Sequence, residues 1–166
     1  MRNNKNHAKI RFLCQAAIIA ALYVVLTLIS GALGLASGAI QIRISEALCV
    51  LPFFMPAAVP GVTLGCLIYN IIGSGNVLDI IFGTLATLIG VLGARLLRKW
   101  KWTVTIPTIA ANTLILPFVL KYGFMLEESV MFFVSTIFIG EFIAAGIFGT
   151  VLLLAIEKRF GNKNGR

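Results

Sequence analysis

Long stretches of this chain carry no charged side chain at all, among them residues 12–42, 47–78, 80–94 and 102–120. Backbone inside hydrocarbon must satisfy its own hydrogen bonds, which restricts spanning segments to helices and closed barrels. A helix that crosses a bilayer takes roughly 20 apolar residues. Runs of this length predict a polytopic, all-α membrane protein. The composition agrees, with 59% of residues hydrophobic, 12% charged and a mean hydropathy of +0.98; about a quarter of a soluble domain is charged.

The basic start followed by an apolar segment has the outline of a signal peptide, but the segment is too long and no polar domain follows it. It is expected to remain as a first membrane helix. Cys14, Cys49 and Cys66 all fall in the apolar segments without CxxC spacing. They predict small buried hydrophobes, with no disulfide framework and no metal site.

The net charge of +8 is not spread as a nucleic-acid-binding surface would be. Twelve of the fourteen basic residues lie in three clusters: Arg2, Lys5, Lys9 and Arg11; Arg95, Arg98, Lys99 and Lys101; Lys158, Arg159, Lys163 and Arg166. Each flanks an apolar segment, the pattern of cytoplasmic loops and termini, and Trp100 and Trp102 accompany the second as an interfacial belt. If all three clusters are cytoplasmic, the chain crosses an even number of times between each pair. Spans at 12–30 and 79–97 then require two crossings from 44–72 or none. Pro52, Pro56 and Pro60 divide that region, which predicts short spans at 44–55 and 57–72. Further spans at 103–121 and 129–157 bring the count to six, with both termini cytoplasmic. Residues 1–166 form a single integral-membrane domain. The outer loops are 31–43, whose Gly-rich part 30–38 is a candidate mobile cover, 73–79 and 121–129.

Away from the clusters, the ionisable groups are Arg43, Glu46, Asp79, Lys121, Glu127, Glu128 and Glu141. Glu127 and Glu128 read as solvated loop charge, and Lys121 as a snorkelling helix-end residue. Glu141 lies near mid-bilayer, where a carboxylate costs on the order of 3 kcal/mol or more and faces the bundle interior or a cavity. It is either a structural hydrogen-bonding group or a ligand or ion site. Asp79 opens its helix, as an N-cap or as a functional acid. Asn70 and Asn112 are amides within spans, suited to interhelical bonds or to a ligand. Arg43 and Glu46 share a helix face at i, i+3. They form a boundary ion pair worth about 0–1 kcal/mol, or a unit that gates a site.

By this topology Glu46, Asn70 and Asp79 lie towards the outer end, with Asn112 and Glu141 deeper. Several acceptors and few donors suit a ligand rich in N–H groups, including a cation. Small-xxx-small pairs, Ala16 with Ala20 or Ala17 with Ala21, allow close helix approach, either within the bundle or to a partner. The chain has no GxxxxGK[ST] phosphate loop, no HExxH, and its sole histidine, His7, sits in the basic tail. No catalytic constellation is present, no cofactor is implied, and an enzyme is not expected.

The segment "IQIRISEALCVLPFFMPAAVPGVTLGCLIYNIIG" with "DIIFGTLATLIG" after it resembles the QueT family, integral-membrane S components of energy-coupling factor (ECF) transporters. R-I-S-E-A-L and P-A-A-x-P-G are the most specific pieces, and the likeness extends over essentially the whole chain. The resemblance implies a six-helix S component in a bacterial plasma membrane. It implies capture of a queuosine precursor, a 7-deazaguanine such as preQ1, preQ0 or queuine, at the outer face. Uptake would be powered by a transmembrane coupling subunit (the T component) and two ATPases. It also associates the AxxxA pattern of the first helix with docking onto the coupling subunit. Arg43, Glu46, Asn70, Asp79, Asn112 and Glu141 are the candidate binding residues, with Tyr69 or Tyr122 as stacking partners. The alternative is a stand-alone secondary transporter or channel with Glu141 as proton site. A membrane-embedded enzyme pairing Asp79 with Glu141 lacks a nucleophile or metal set.

Overall fold

The computed structural model describes residues 2–35 and 42–161, with side chains between residues 6 and 159 of these. Every regular element among them is helical. Helix α1 covers Arg2–Ala32 and a short 3-10 helix covers Ile44–Phe53. Helices α2 (Ala58–Ser74), α3 (Asp79–Leu96), α4 (Lys101–Gly123) and α5 (Val130–Arg159) follow. Four of these six, α1, α3, α4 and α5, are long and apolar enough to cross a membrane, while the 3-10 helix and α2 are shorter. The candidate cover at 30–38 starts as helix rather than loop, since α1 continues through Ala32 and a turn follows to Leu35. Its remainder, 36–38, lies outside the described residues.

The 3-10 helix forms the centre of the molecule. Every residue from Ser45 to Pro52 is buried, and the helix packs against α1, α2, α3 and α5. A 3-10 helix rises about 2.0 Å per residue against 1.5 Å for an α-helix. Its 10 residues therefore cover about 20 Å instead of about 15 Å. This answers the shortness of the segment: it is stretched, and protein rather than lipid surrounds it. Pro52, which cannot donate, sits near its end, and the Pro52 carbonyl accepts from Arg95 Nη1 at 2.9 Å.

Helices α1 and α2 pack closely because two glycines of α2 face α1. A Cβ at Gly61 would lie 2.8 Å from the Ala16 carbonyl oxygen, and one at Gly65 would lie 2.7 Å from Tyr23 Cβ. The main core joins Ile19, Tyr23, Leu48, Val62, Cys66 and Val91 across α1, the 3-10 helix, α2 and α3.

Contacts between elements distinguish the two ends of the bundle. At one end Arg95 reaches Pro52, and Lys101 pairs with Glu157 at 3.2 Å. At the other, Ser30 meets Ile44, and Asn76 Nδ2 donates to the Gly123 carbonyl at 2.6 Å. Successive helices thus run in alternating directions. Lys121 contributes to the second end by donating to the carbonyls of Leu126, Glu127 and Glu128 at 3.0–3.1 Å. Its ammonium ties a loop together, where snorkelling had been expected. Of the three cysteines, Cys49 and Cys66 are buried as expected and Cys14 is exposed.

Candidate functional site

Four helices end or are interrupted by wide π turns: Asn70–Ser74 in α2, Asp79–Gly83 in α3, Val119–Gly123 in α4 and Phe142–Phe148 in α5. Such turns break the regular i→i−4 ladder and occur frequently at functional sites. Three of them begin at or directly after a candidate residue: Asn70, Asp79 and Glu141.

Asp79 does not cap its helix. Asn76 does, with Oδ1 accepting from the backbone N–H of Leu78 at 2.9 Å and of Asp79 at 3.4 Å. The sequence signal was an asparagine, a preferred capping residue, three positions before the acid. The Asp79 carboxylate is therefore free to turn inward, where it is buried with Oδ2 unpartnered. Asn70 Nδ2 donates to the Asp79 carbonyl at 3.1 Å, leaving Asn70 Oδ1 unpartnered. Gly83 makes room for both: a Cβ there would lie 2.6 Å from Asp79 Oδ1 and 3.0 Å from Asn70 Nδ2.

A second pair joins α4 to α5. Asn112 Nδ2 donates to Glu141 Oε1 at 2.8 Å, and Asn112 Oδ1 and Glu141 Oε2 remain unpartnered. Glu46 is held differently. Its Oε1 accepts from the Tyr23 hydroxyl and its Oε2 from the Cys49 thiol at 3.1 Å. Glu46, Asn70, Asp79, Asn112 and Glu141 are all 5% exposed or less.

Half-buried Arg43 lies over the Tyr69 ring at 6.0 Å and within electrostatic range of Asp79, Tyr23 and Glu46. Glu141 is within range of Glu46 and Arg43. Arg43 and Glu46 form no ion pair, since among the described residues the one salt bridge is Lys101–Glu157. The interior thus holds one guanidinium against three carboxyls. In the two acceptor pairs, from α2–α3 and from α4–α5, four oxygens lack donors, two of them on these carboxyls.

A family model described as "QueT transporter" matches residues 13–158. The chain belongs to the QueT transporter family. It is similar to the queuosine precursor transporter QueT of Lactococcus lactis subsp. cremoris (strain MG1363), with 42% identity over 86 residues, 51% of this chain and 50% of that protein. The matched region spans about half the length of that relative. No solved structure gives a significant match. QueT is a family of transporters rather than enzymes, as the missing catalytic constellation led one to expect.

Of the six residues singled out in this QueT-family sequence, five are buried and Arg43 is half-buried, with Asn70 bonded to Asp79 and Asn112 to Glu141. Tyr69 lies beneath Arg43. Tyr122 is exposed beside an apolar groove of about 380 Å³ lined by Leu78, Phe82, Leu114 and Phe118. Sequence reasoning missed Tyr23, Cys49 and Asn76. The two small-residue registers separate cleanly: Ala16 and Ala20 are buried against α2, while Ala17 and Ala21 are exposed.

Proposed function

We propose that this chain is the substrate-binding S component of an ECF importer, capturing a 7-deazaguanine queuosine precursor for uptake into a bacterium. One observation carries the reading. Asn70 Oδ1, Asp79 Oδ2, Asn112 Oδ1 and Glu141 Oε2 are buried acceptors without donors, clustered where carboxyls outnumber cations. Leaving such a group unsatisfied costs about 1–3 kcal/mol each, so a ligand offering N–H groups gains by meeting them. The 2-amino-pyrimidinone edge of a deazaguanine presents adjacent N–H donors that a carboxylate can accept together. An aminomethyl group would add a cation suited to the excess of acids. Family membership and the name of the Lactococcus relative support the substrate class.

In the proposed topology all six helices cross, with both termini cytoplasmic. Support comes from the end of the bundle where Arg95, Lys101 and Glu157 gather, since the same end collects the basic clusters expected inside. The polar interior then lies towards the outer face, with Asn112 and Glu141 deeper. The proposed partners are a transmembrane coupling subunit and two ATPases. Ala17 and Ala21 are the proposed docking positions on α1, because the alternative pair is occupied by α2.

Purified protein in nanodiscs, without coupling proteins, should bind one 7-deazaguanine saturably, and right-side-out vesicles containing it alone should not accumulate that compound. Accumulation driven by a proton gradient and lost in Glu141→Gln would replace this reading with the secondary transporter.

A further inference from the structure

Three side chains of α1, Tyr23, Thr27 and Ser30, are spaced four and three residues apart and so lie along one helix face. Each meets a successive residue at the start of the 3-10 helix. Ser30 Oγ accepts from the Ile44 backbone N–H at 3.0 Å while donating to the Leu26 carbonyl at 2.9 Å. Thr27 shares a 2.7 Å hydrogen bond with the Ser45 hydroxyl and sits 2.7 Å from the Tyr23 carbonyl. The Tyr23 hydroxyl donates to Glu46 Oε1. Residues 30, 27 and 23 thus engage 44, 45 and 46 in order, as a ladder. Tyr23, Thr27, Ser30 and Ser45 are fully buried and Glu46 is 1% exposed, so water does not compete for these bonds.

A carboxylate has about four acceptor positions. With Tyr23 on one oxygen and Cys49 on the other, Glu46 is oriented and still has capacity for a ligand donor. Loss of the Tyr23 hydroxyl would leave a buried acid free to turn, next to Arg43 only three residues away.

We infer that Tyr23 is a positioning residue for ligand binding: its hydroxyl sets the Glu46 carboxylate, and the Thr27 and Ser30 rungs set the backbone that carries Glu46 and Arg43. This rests on the proposed function, in that Glu46 belongs to the binding site. The competing role for Tyr23 is purely structural, since its Cβ meets Gly65 in the α1–α2 seam and its side chain belongs to the main core. Tyr23→Phe keeps the ring and removes only the hydroxyl.

A double-mutant cycle on the full chain in nanodiscs separates the two roles, with preQ1, preQ0 and queuine as probes and thermal melting as the folding control. Tyr23→Phe is expected to lose about tenfold or more in affinity, the scale of one hydrogen bond to a charged group. In a Glu46→Ala background, which removes the acceptor, the same substitution should have little further effect. Thr27→Val, which breaks the middle rung, should likewise cost affinity only where Glu46 is intact. Equal losses in both backgrounds, or wild-type affinity in Tyr23→Phe, would overturn the positioning role alone. Failure of the wild-type chain to bind any of the three probes would overturn the proposed function along with it.

Discussion

Asn112 Nδ2 donates to Glu141 Oε1 across 2.8 Å, joining α4 to α5 one residue before α5 widens into a π segment. The bond fixes both side chains in a buried interior and leaves one acceptor on each unpaired. Of the two roles posed for Glu141 from sequence, the structural hydrogen bond is present on one oxygen, while the other oxygen has no partner and is the one proposed to meet ligand.

Glu141→Gln keeps an acceptor for Asn112 but removes the charge. Affinity for a cationic or N–H-rich ligand should fall about tenfold or more. Melting temperature should hold or rise, because an acid at this depth is itself costly. Calorimetry and a thermal melt on the same preparation check both halves; unchanged affinity would remove Glu141 from the site.

Gly83→Ala sets two effects against each other. Within a helix, alanine is favoured over glycine by about 1 kcal/mol. The added Cβ, however, would lie 2.6 Å from Asp79 Oδ1 and 3.0 Å from Asn70 Nδ2, which forces that acceptor pair to move. Binding should weaken several-fold even if stability rises. A stabilised variant with wild-type affinity would show that the Asn70–Asp79 pair does not touch ligand.

Asn76 both caps α3 and bonds to Gly123 across the end of the bundle. Asn76→Ala should cost about 1 kcal/mol, the usual worth of an N-cap. Hydrogen exchange should quicken at 76–80 and, through the lost Gly123 bond, at 119–123. Asn76→Asp should restore the first segment and not the second, because a carboxylate accepts but does not donate.

Much of this architecture was legible because membrane spans announce themselves by length and lack of charge. Asp79 and Leu96 bound α3 within a residue of expectation, and α5 begins one residue after Ser129, which caps it by accepting from Phe132 N–H. The buried acids and amides were legible for the same reason, since polar groups in apolar runs require an explanation. What could not be read is how those groups are held. Tyr23 looks like one apolar residue among many in a helix, and its role depends on Glu46, 23 positions away. The π turns carry no periodicity signal. Arg43 and Glu46, neighbours by spacing, turn to different partners, Arg43 to the Tyr69 ring and Glu46 to Tyr23 and Cys49.

The exposed and buried alanines of α1 give a paired test of docking. Ala17→Trp should leave ligand binding and melting unchanged while abolishing co-purification with the coupling subunit. Ala16→Trp faces the closely packed seam at Gly61 and should lower stability outright by the 1–3 kcal/mol or so typical of overpacking. If Ala17→Trp retains full assembly and transport, the docking face lies elsewhere.

The proposed 7-deazaguanine site depends on the unpartnered buried acceptors of Asn70, Asp79, Asn112 and Glu141. Mass spectrometry of small molecules carried through purification, paired with calorimetric titration of preQ1, preQ0 and queuine into the isolated chain, tests it most directly. The account predicts one saturable site for at least one of the three, with the same compound recovered from the purified protein and lost in Glu141→Gln. No saturable binding to any of them, or binding indifferent to Asp79→Asn and Glu141→Gln together, would contradict it.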